Sequence, residues 1–286
     1  MKKITSLFVA MLLLLSSCGS VPLTGRKQVL LVSDQEVLSS SLTQYSDYMK
    51  SAKKSSSKDG AAMVTRVGKK IAAATEQYLR NNGLESEIKN FAWEFNLVND
   101  PQVNAFCMPG GKIVVYEGLM QLVSSDDELA VVVGHEVAHA VAKHSNERMS
   151  QQLMAQYGAQ ILGQALSNKS AAVQKIGASV YGLGAQYGVM LPFSRKHESE
   201  ADYMGLVFMA MAGYNPAVAV NFWQKMSAGK SGSTPEFMST HPSDATRINE
   251  IKQHLPEIEK MILDAAPVVQ DMNTSLKNVK EMTGII

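Results

Sequence analysis

Residues 126–148, DDELAVVVGHEVAHAVAKHSNER, decide how the chain folds. Leu129, Val132 and Val133 recur at helical spacing and run into His135-Glu136-Val137-Ala138-His139. Ser125, with Glu128 three residues on, has the form of a capping box, and Asp126 and Asp127 suit the positive end of a helix. The pattern predicts one helix from about Asp126 to about Arg148. Positions four apart share a helix face, so His135 and His139 can offer two imidazole nitrogens to one zinc ion. Glu136, one residue round, can reach the open side where a metal-bound water sits. With six histidines in 286 residues, chance supplies this arrangement in about one chain in a hundred or fewer.

A catalytic zinc takes a third protein ligand and keeps one position open. Residues 194–202, SRKHESEAD, offer it on a next predicted helix of about Lys196 to Ala212. Glu198 and Asp202 are four apart and share a face. Glu198 is the candidate ligand, although spacing alone favours it over Glu200 by only about two to one. Asp202 can accept the outer N–H of a zinc-bound histidine. Glu200, His197 and His254 read as surface groups, and His144 as a structural or supporting histidine rather than a fourth ligand.

Outward from this centre, Trp93–Val98 (WEFNLV) and Lys112–Tyr116 (KIVVY) read as strands, the second after the turn Pro109-Gly110-Gly111. Ala61–Asn81 reads as an amphipathic helix with Met63, Val67, Ile71 and Tyr78 on its apolar side. Residues 151–192 hold two charges, Lys169 and Lys175, without a continuous apolar 18-mer. They predict an apolar helical insertion packed on the domain, closed by Pro192, and no membrane span. Asn215-Pro216 starts a helix to about Met226, and a last helix covers about Asp244 to His254. The expected class is α+β, mostly α-helical, with a small β-sheet beside the histidine helix.

At the N-terminus, Lys2 and Lys3 precede an apolar run from Leu7 to Leu15 and small residues before Cys18. This reads as a signal peptide over 1–17, and Leu15-Ser16-Ser17-Cys18 resembles a lipobox, which implies a cut before Cys18 and lipid on it; the alternative is an ordinary signal peptide with an incidental cysteine. Residues 18–60 then read as a lipidated N-terminus, tether and entry segment, with a polar loop at 51–60. The catalytic domain is expected over 61–262 and a weakly patterned tail over 263–286. The net charge is +1; removing the two lysines gives 1 − 2 = −1, so no nucleic-acid partner is expected. Cys18 and Cys107, the two cysteines, exclude a disulfide scaffold. Cys107 is left as a buried small hydrophobe or a free thiol.

His135-Glu-Val-Ala-His139 with His144, followed by Ser194-Arg195-x-x-Glu198-x-Glu-Ala-Asp202, resembles the zinc metallopeptidases of family forty-eight, the family of HtpX and the CAAX prenyl protease. Asn104-Ala105-Phe106, Pro109-Gly110-Gly111 and Gly118-Leu119 resemble its segment before the zinc helix, and Thr240-His241-Pro242 with Arg247 its late motif. The resemblance implies a gluzincin-like domain with one zinc on His135, His139 and Glu198, and Glu136 as general base. It implies a catalytic role for His241, either as oxyanion donor or as a block on the zinc at rest; Arg247 is the less favoured donor. It further implies the bacterial lipoprotein branch: a lipid-anchored, periplasm-facing endopeptidase at the outer membrane that cuts misfolded or unassembled envelope proteins. The alternative is an envelope lipoprotein chaperone or assembly factor with a mostly closed zinc site. In zinc peptidases built this way an edge strand beside the cleft pairs with extended substrate. Gly111, Ile113, Val114 and Val115 are the expected docking strand, with 151–192 as a lid or apolar wall; the alternative is an internal, fully paired strand.

Overall fold

The histidine helix ends earlier than its pattern predicts. In the computed structural model, which describes residues 18–185, 191–228, 237, 241, 246–262 and 264, it spans Asp126–Val141. The Ser125 side chain accepts from Glu128 N, as the cap pattern requires. The Glu128 carboxylate reaches back to Ser124 N at 2.7 Å rather than to the cap residue itself. At the other end Lys143 takes a left-handed conformation (φ 57°) and redirects the chain. A separate helix, His144–Leu166, begins there. Lys143 is held at this corner by Asp34 and Glu87, at 2.6 and 2.8 Å.

Eleven residues of the histidine helix are buried, including His135 and Glu136. Its chief packing partner is the helix Leu191–Met211. The two approach backbone to backbone at Gly134 and Gly205. A Cβ on Gly134 would lie 2.7 Å from Gly205 O, and one on Gly205 2.7 Å from His135 N. Only two glycines allow this crossing, and it brings Glu198 and Asp202 against His135. The second helix starts at Leu191 instead of near Lys196, so Pro192 lies in its first turn rather than ending the insertion.

On the opposite side lies a three-stranded sheet, with β1 (Cys18–Ser20) and β2 (Lys27–Val29) forming a separate antiparallel pair near the N-terminus. β3 (Glu94–Val98) runs parallel to β5 (Lys112–Tyr116), and β4 (Ala105–Met108) antiparallel to β5, in the order β3-β5-β4. The expected docking strand is thereby corrected. β5 is the central strand, all five of its residues are buried, and Val114 pairs with both Asn96 and Phe106. Gly111, Ile113, Val114 and Val115 present no free edge; the strand next to the histidine helix is β4.

Residues 18–60, read as tether and entry segment, are folded onto the domain. They contain β1, β2 and a capped helix, Asp34–Ser51, and they bury Val21, Val37 and Tyr45. The helix predicted from Ala61 begins at Lys58, capped by Ser57, and buries Val67 and Ile71 against the histidine helix. The helix expected from Asn215-Pro216 spans Val218–Ala228, and the last is helical over 246–262. The insertion also departs from expectation. His144–Leu166 and Ala171–Ala185 pack on each other as a hairpin. Tyr157, Ile161, Ile176 and Val180 stand exposed instead of packed on the domain. Among the described residues, no helix is long and apolar enough to cross a membrane. The signal peptide (1–17) lies outside the described residues, as does all of the expected tail but residue 264.

Candidate metal centre

His135 and His139 project from the histidine helix, Glu198 from the crossing helix, and His241 from the segment after Phe237. One ligand atom from each of the four lies within 4.8 Å of the others. His135 Nε2 is 3.0 Å from His139 Nε2, 3.2 Å from Glu198 Oε2 and 3.3 Å from His241 Nδ1. His139 Nε2 is 3.4 Å from Glu198 Oε1, and His241 Nδ1 is 3.0 Å from Glu198 Oε2. Ligands about 2.0–2.1 Å from a tetrahedral zinc stand about 3.4 Å apart. These five separations, 3.0 to 3.4 Å, lie close to that spacing, so the residues fit a zinc ion.

Hydrogen bonding points the same way. His135 Nδ1 donates to Asp202 Oδ1 at 2.9 Å, which leaves the lone pair on Nε2 aimed into the cluster. Two imidazole lone pairs facing each other at 3.0 Å are favourable around a cation. Asp202 is gripped in turn by Arg247, through Nη2–Oδ1 at 2.7 Å and Nε–Oδ2. Burial works against the Asp202 carboxylate, but the Arg247 charge outweighs it and holds the group below its usual range. Burial opposes a charged Glu198 too. Its close contacts with His135 and His241 outweigh this and hold it far below the carboxylate range. A carboxylate that stays ionised when buried is what a metal ligand needs.

Glu136 is different. It is 3 % exposed, and burial pushes its pKa up. Oε2 accepts the Cys107 N–H of β4 at 3.1 Å, whereas Oε1 has no hydrogen-bond partner. A buried carboxylate oxygen without a partner costs stability unless something occupies the space before it. Cys107 is a free cysteine, half-buried, its thiol pushed well above its usual pKa by burial first and by Glu136 second.

His241 enters the cluster as a fourth donor, with Nδ1 toward Glu198 and Nε2 3.5 Å from Glu136 Oε1. Its ring stacks on Phe237 at 4.4 Å between centroids. Arg247 reaches into Asp202 and over the Trp223 ring, with Nη1 3.7 Å from Glu198 Oε2.

Sequence reasoning missed the groups behind His139. Glu200 and His197 are buried, at 7 % and 4 % exposure, not on the surface. Glu200 bonds His144, Thr24 and Arg26, and His197 bonds Glu147. His144 lies one bond behind His139, a supporting position, with Nδ1 2.8 Å from His139 Nδ1. Burial lowers the His144 pKa to about 4, so the ring is neutral. The one available signal was the low polarity of the segments flanking Leu191–Met211.

Comparison with known proteins agrees with this geometry. The profile of Peptidase family M48 matches residues 65–255. The chain is 36% identical over 205 residues to the mitochondrial metalloendopeptidase OMA1 of Schizosaccharomyces pombe, covering 68% of this chain and 53% of that protein. It is 40% identical over 168 residues to the Arabidopsis thaliana OMA1, covering 59% and 33%. It is 33% identical over 174 residues to the beta-barrel assembly-enhancing protease of Yersinia pestis, covering 57% and 36%. The chain thus spans about half the length of the first relative and about a third of the other two. With the matched span containing all four metal donors, the chain belongs to peptidase family M48, the zinc-dependent metallopeptidases.

Proposed function

We propose that the chain is a zinc endopeptidase of the bacterial cell envelope that cuts misfolded or unassembled proteins and is held to the membrane by lipid on Cys18. The observation that carries the enzymatic part is Glu136, a buried acid with one oxygen tied to β4 and the other without a hydrogen bond, 3.5 Å from His241 Nε2 beside the donor cluster. A purely structural metal site has no use for that group. The lipid anchor and envelope location rest on residues 1–18, and the substrate class on the likeness to a protease named for β-barrel assembly.

His135, His139 and Glu198 would hold the zinc, which when bound acidifies a water and polarises the scissile carbonyl. Glu136 takes the water proton on Oε1 and returns it to the leaving amine. The Cys107 N–H fixes Oε2, so the base stays aimed. Asp202 holds the Nδ1 proton of His135, and Arg247 holds Asp202. His241 at the fourth corner favours the blocking role over the oxyanion role in this arrangement. That same position favours the second reading, an assembly factor whose zinc site stays closed.

Hydrolysis separates the two. Wild-type protein should carry about one zinc per chain and cut an unfolded protein such as casein. Glu198→Ala should lose both the metal and the cleavage, measured by metal analysis and gel assay. Zinc retained at full occupancy in Glu198→Ala would remove Glu198 from the ligand set, and a loaded wild type inert toward every unfolded substrate would favour the assembly factor. For the anchor, Cys18→Ala should move the protein from the membrane to the soluble fraction; two or more acyl chains anchor stably where one is marginal.

A further inference from the structure

Behind His139 runs a second, longer line of partners that the proposed chemistry does not use. The loop between β1 and β2 carries Thr24 and Arg26. Arg26 Nε lies 2.8 Å from Glu200 Oε2, and its Nη1 and Nη2 meet Glu147 Oε1 and Oε2 at 2.9 and 2.7 Å. Thr24 Oγ1 donates to Glu200 Oε1. Glu200 Oε2 is 3.0 Å from His144 Nε2, and His144 Nδ1 is 2.8 Å from His139 Nδ1. Further along, Leu31 N donates to Ser150 Oγ at 2.8 Å, and Asn146 Nδ2 to Val32 O at 2.9 Å, which fixes the segment after β2 against the helix that begins at His144.

The direction of these bonds follows from the chemistry of the groups. An ionised carboxylate only accepts, so His144 carries its proton on Nε2 and a lone pair on Nδ1. That lone pair takes the Nδ1–H of His139. His139 is then left with its own lone pair on Nε2, facing the cluster. The opposite tautomer would put an N–H there, and an N–H cannot ligate. The two histidines of the motif are therefore backed alike. His135 has Asp202, gripped by Arg247. His139 has Glu200, gripped by Arg26, with one imidazole inserted between.

We infer that the N-terminal loop is a working part of the metal centre: Thr24 and Arg26 set Glu200, Glu200 sets His144, and His144 fixes the tautomer and aim of His139. These are positioning residues. The loop lies outside the span matched to the family, 65–255, and begins a few residues after Cys18. The inference rests on His139 being a zinc ligand, as proposed above.

The test is zinc affinity by chelator competition on the full chain, with the visible absorption of the cobalt-substituted protein as a second readout. Glu200→Ala should weaken zinc binding by about 10–100-fold, the scale for a group that orients a ligand, and should change the cobalt spectrum. Glu200→Gln keeps an acceptor for the His144 proton while losing the charge that pairs with Arg26. It should bind zinc more tightly than Glu200→Ala; a merely structural ion pair predicts that both fail alike. If Glu200→Ala does not fold, His144→Ala serves, since it removes the acceptor for His139 and leaves the Arg26 pairs intact. Folded Glu200→Ala or His144→Ala protein that binds zinc within about twofold of wild type would overturn the inference. Wild type that binds no zinc would overturn the metal reading itself.

Discussion

Glu136→Gln should keep the fold and the zinc and lower hydrolysis of an unfolded protein by about 10²–10⁴-fold, the usual contribution of a positioned general base. The exchange is nearly isosteric. Its amide oxygen can still accept the Cys107 N–H that Oε2 now takes at 3.1 Å. Its NH₂ then stands where Oε1 stands, and an NH₂ cannot take a proton from water. Burial raises the wild-type Glu136 pKa, which makes the carboxylate a stronger base than one in water. The loss should therefore appear in the rate and not in metal content, read from cleavage of casein at equal zinc loading. Wild-type rates in a loaded Glu136→Gln protein would rule out Glu136 as the base. Wild-type rates in Asp202→Ala, by contrast, would say nothing about the base, because Asp202 acts through His135.

The centre was legible because its residues repeat at helical spacing. His135 with His139, and Glu198 with Asp202, are each pairs four apart, and the structure brings all four side chains to one place. What joins the two helices was not legible. Gly134 and Gly205 read as two small residues among many, yet their backbone contact sets the crossing. The sheet was half legible. KIVVY gives a strand, but an unbroken apolar run fits an edge or a centre alike until its neighbours are known. β4 was missed because Ala105–Met108 is short and carries no alternation. The break at Lys143 had no glycine to mark it; tertiary ion pairs to Asp34 and Glu87 hold a lysine in the left-handed region there. The acids of Leu191–Met211 misled for a related reason. Glu200, two residues from Glu198, lies on a different face of the helix that is covered as well, by a loop in the segment read as tether and entry.

Arg247→Met should lower stability by about 3–5 kcal/mol, the cost of stripping one partner from a buried ion pair. Arg247 is 4 % exposed, makes two hydrogen bonds to Asp202, and lies over the Trp223 ring at 4.0 Å. Methionine refills most of the volume and keeps contact with Trp223, so little of the loss comes from packing. What changes is that a buried carboxylate loses its counter-charge. At about 2–4 °C per kcal/mol for a chain of this size, the thermal midpoint should fall by roughly 6–20 °C. The pH dependence tells an unpaired charge from a cavity. Asp202 sits below its usual pKa in the wild type. The stability it contributes is therefore present above its unfolded value, about 3.9, and is lost as pH falls through the lower folded value. Without Arg247 the burial that opposes its ionisation is offset by His135 only, so Asp202 protonates more readily. The gap between variant and wild type should narrow as the solution is acidified, whereas a cavity would cost the same at every pH. Adding Asp202→Asn to Arg247→Met removes the unpaired charge and should recover part of the lost midpoint. If the double variant is as unstable as the sum of the two single ones, the pair is not coupled, and Arg247 supports the fold through its other contacts, Trp223 and Glu198 among them.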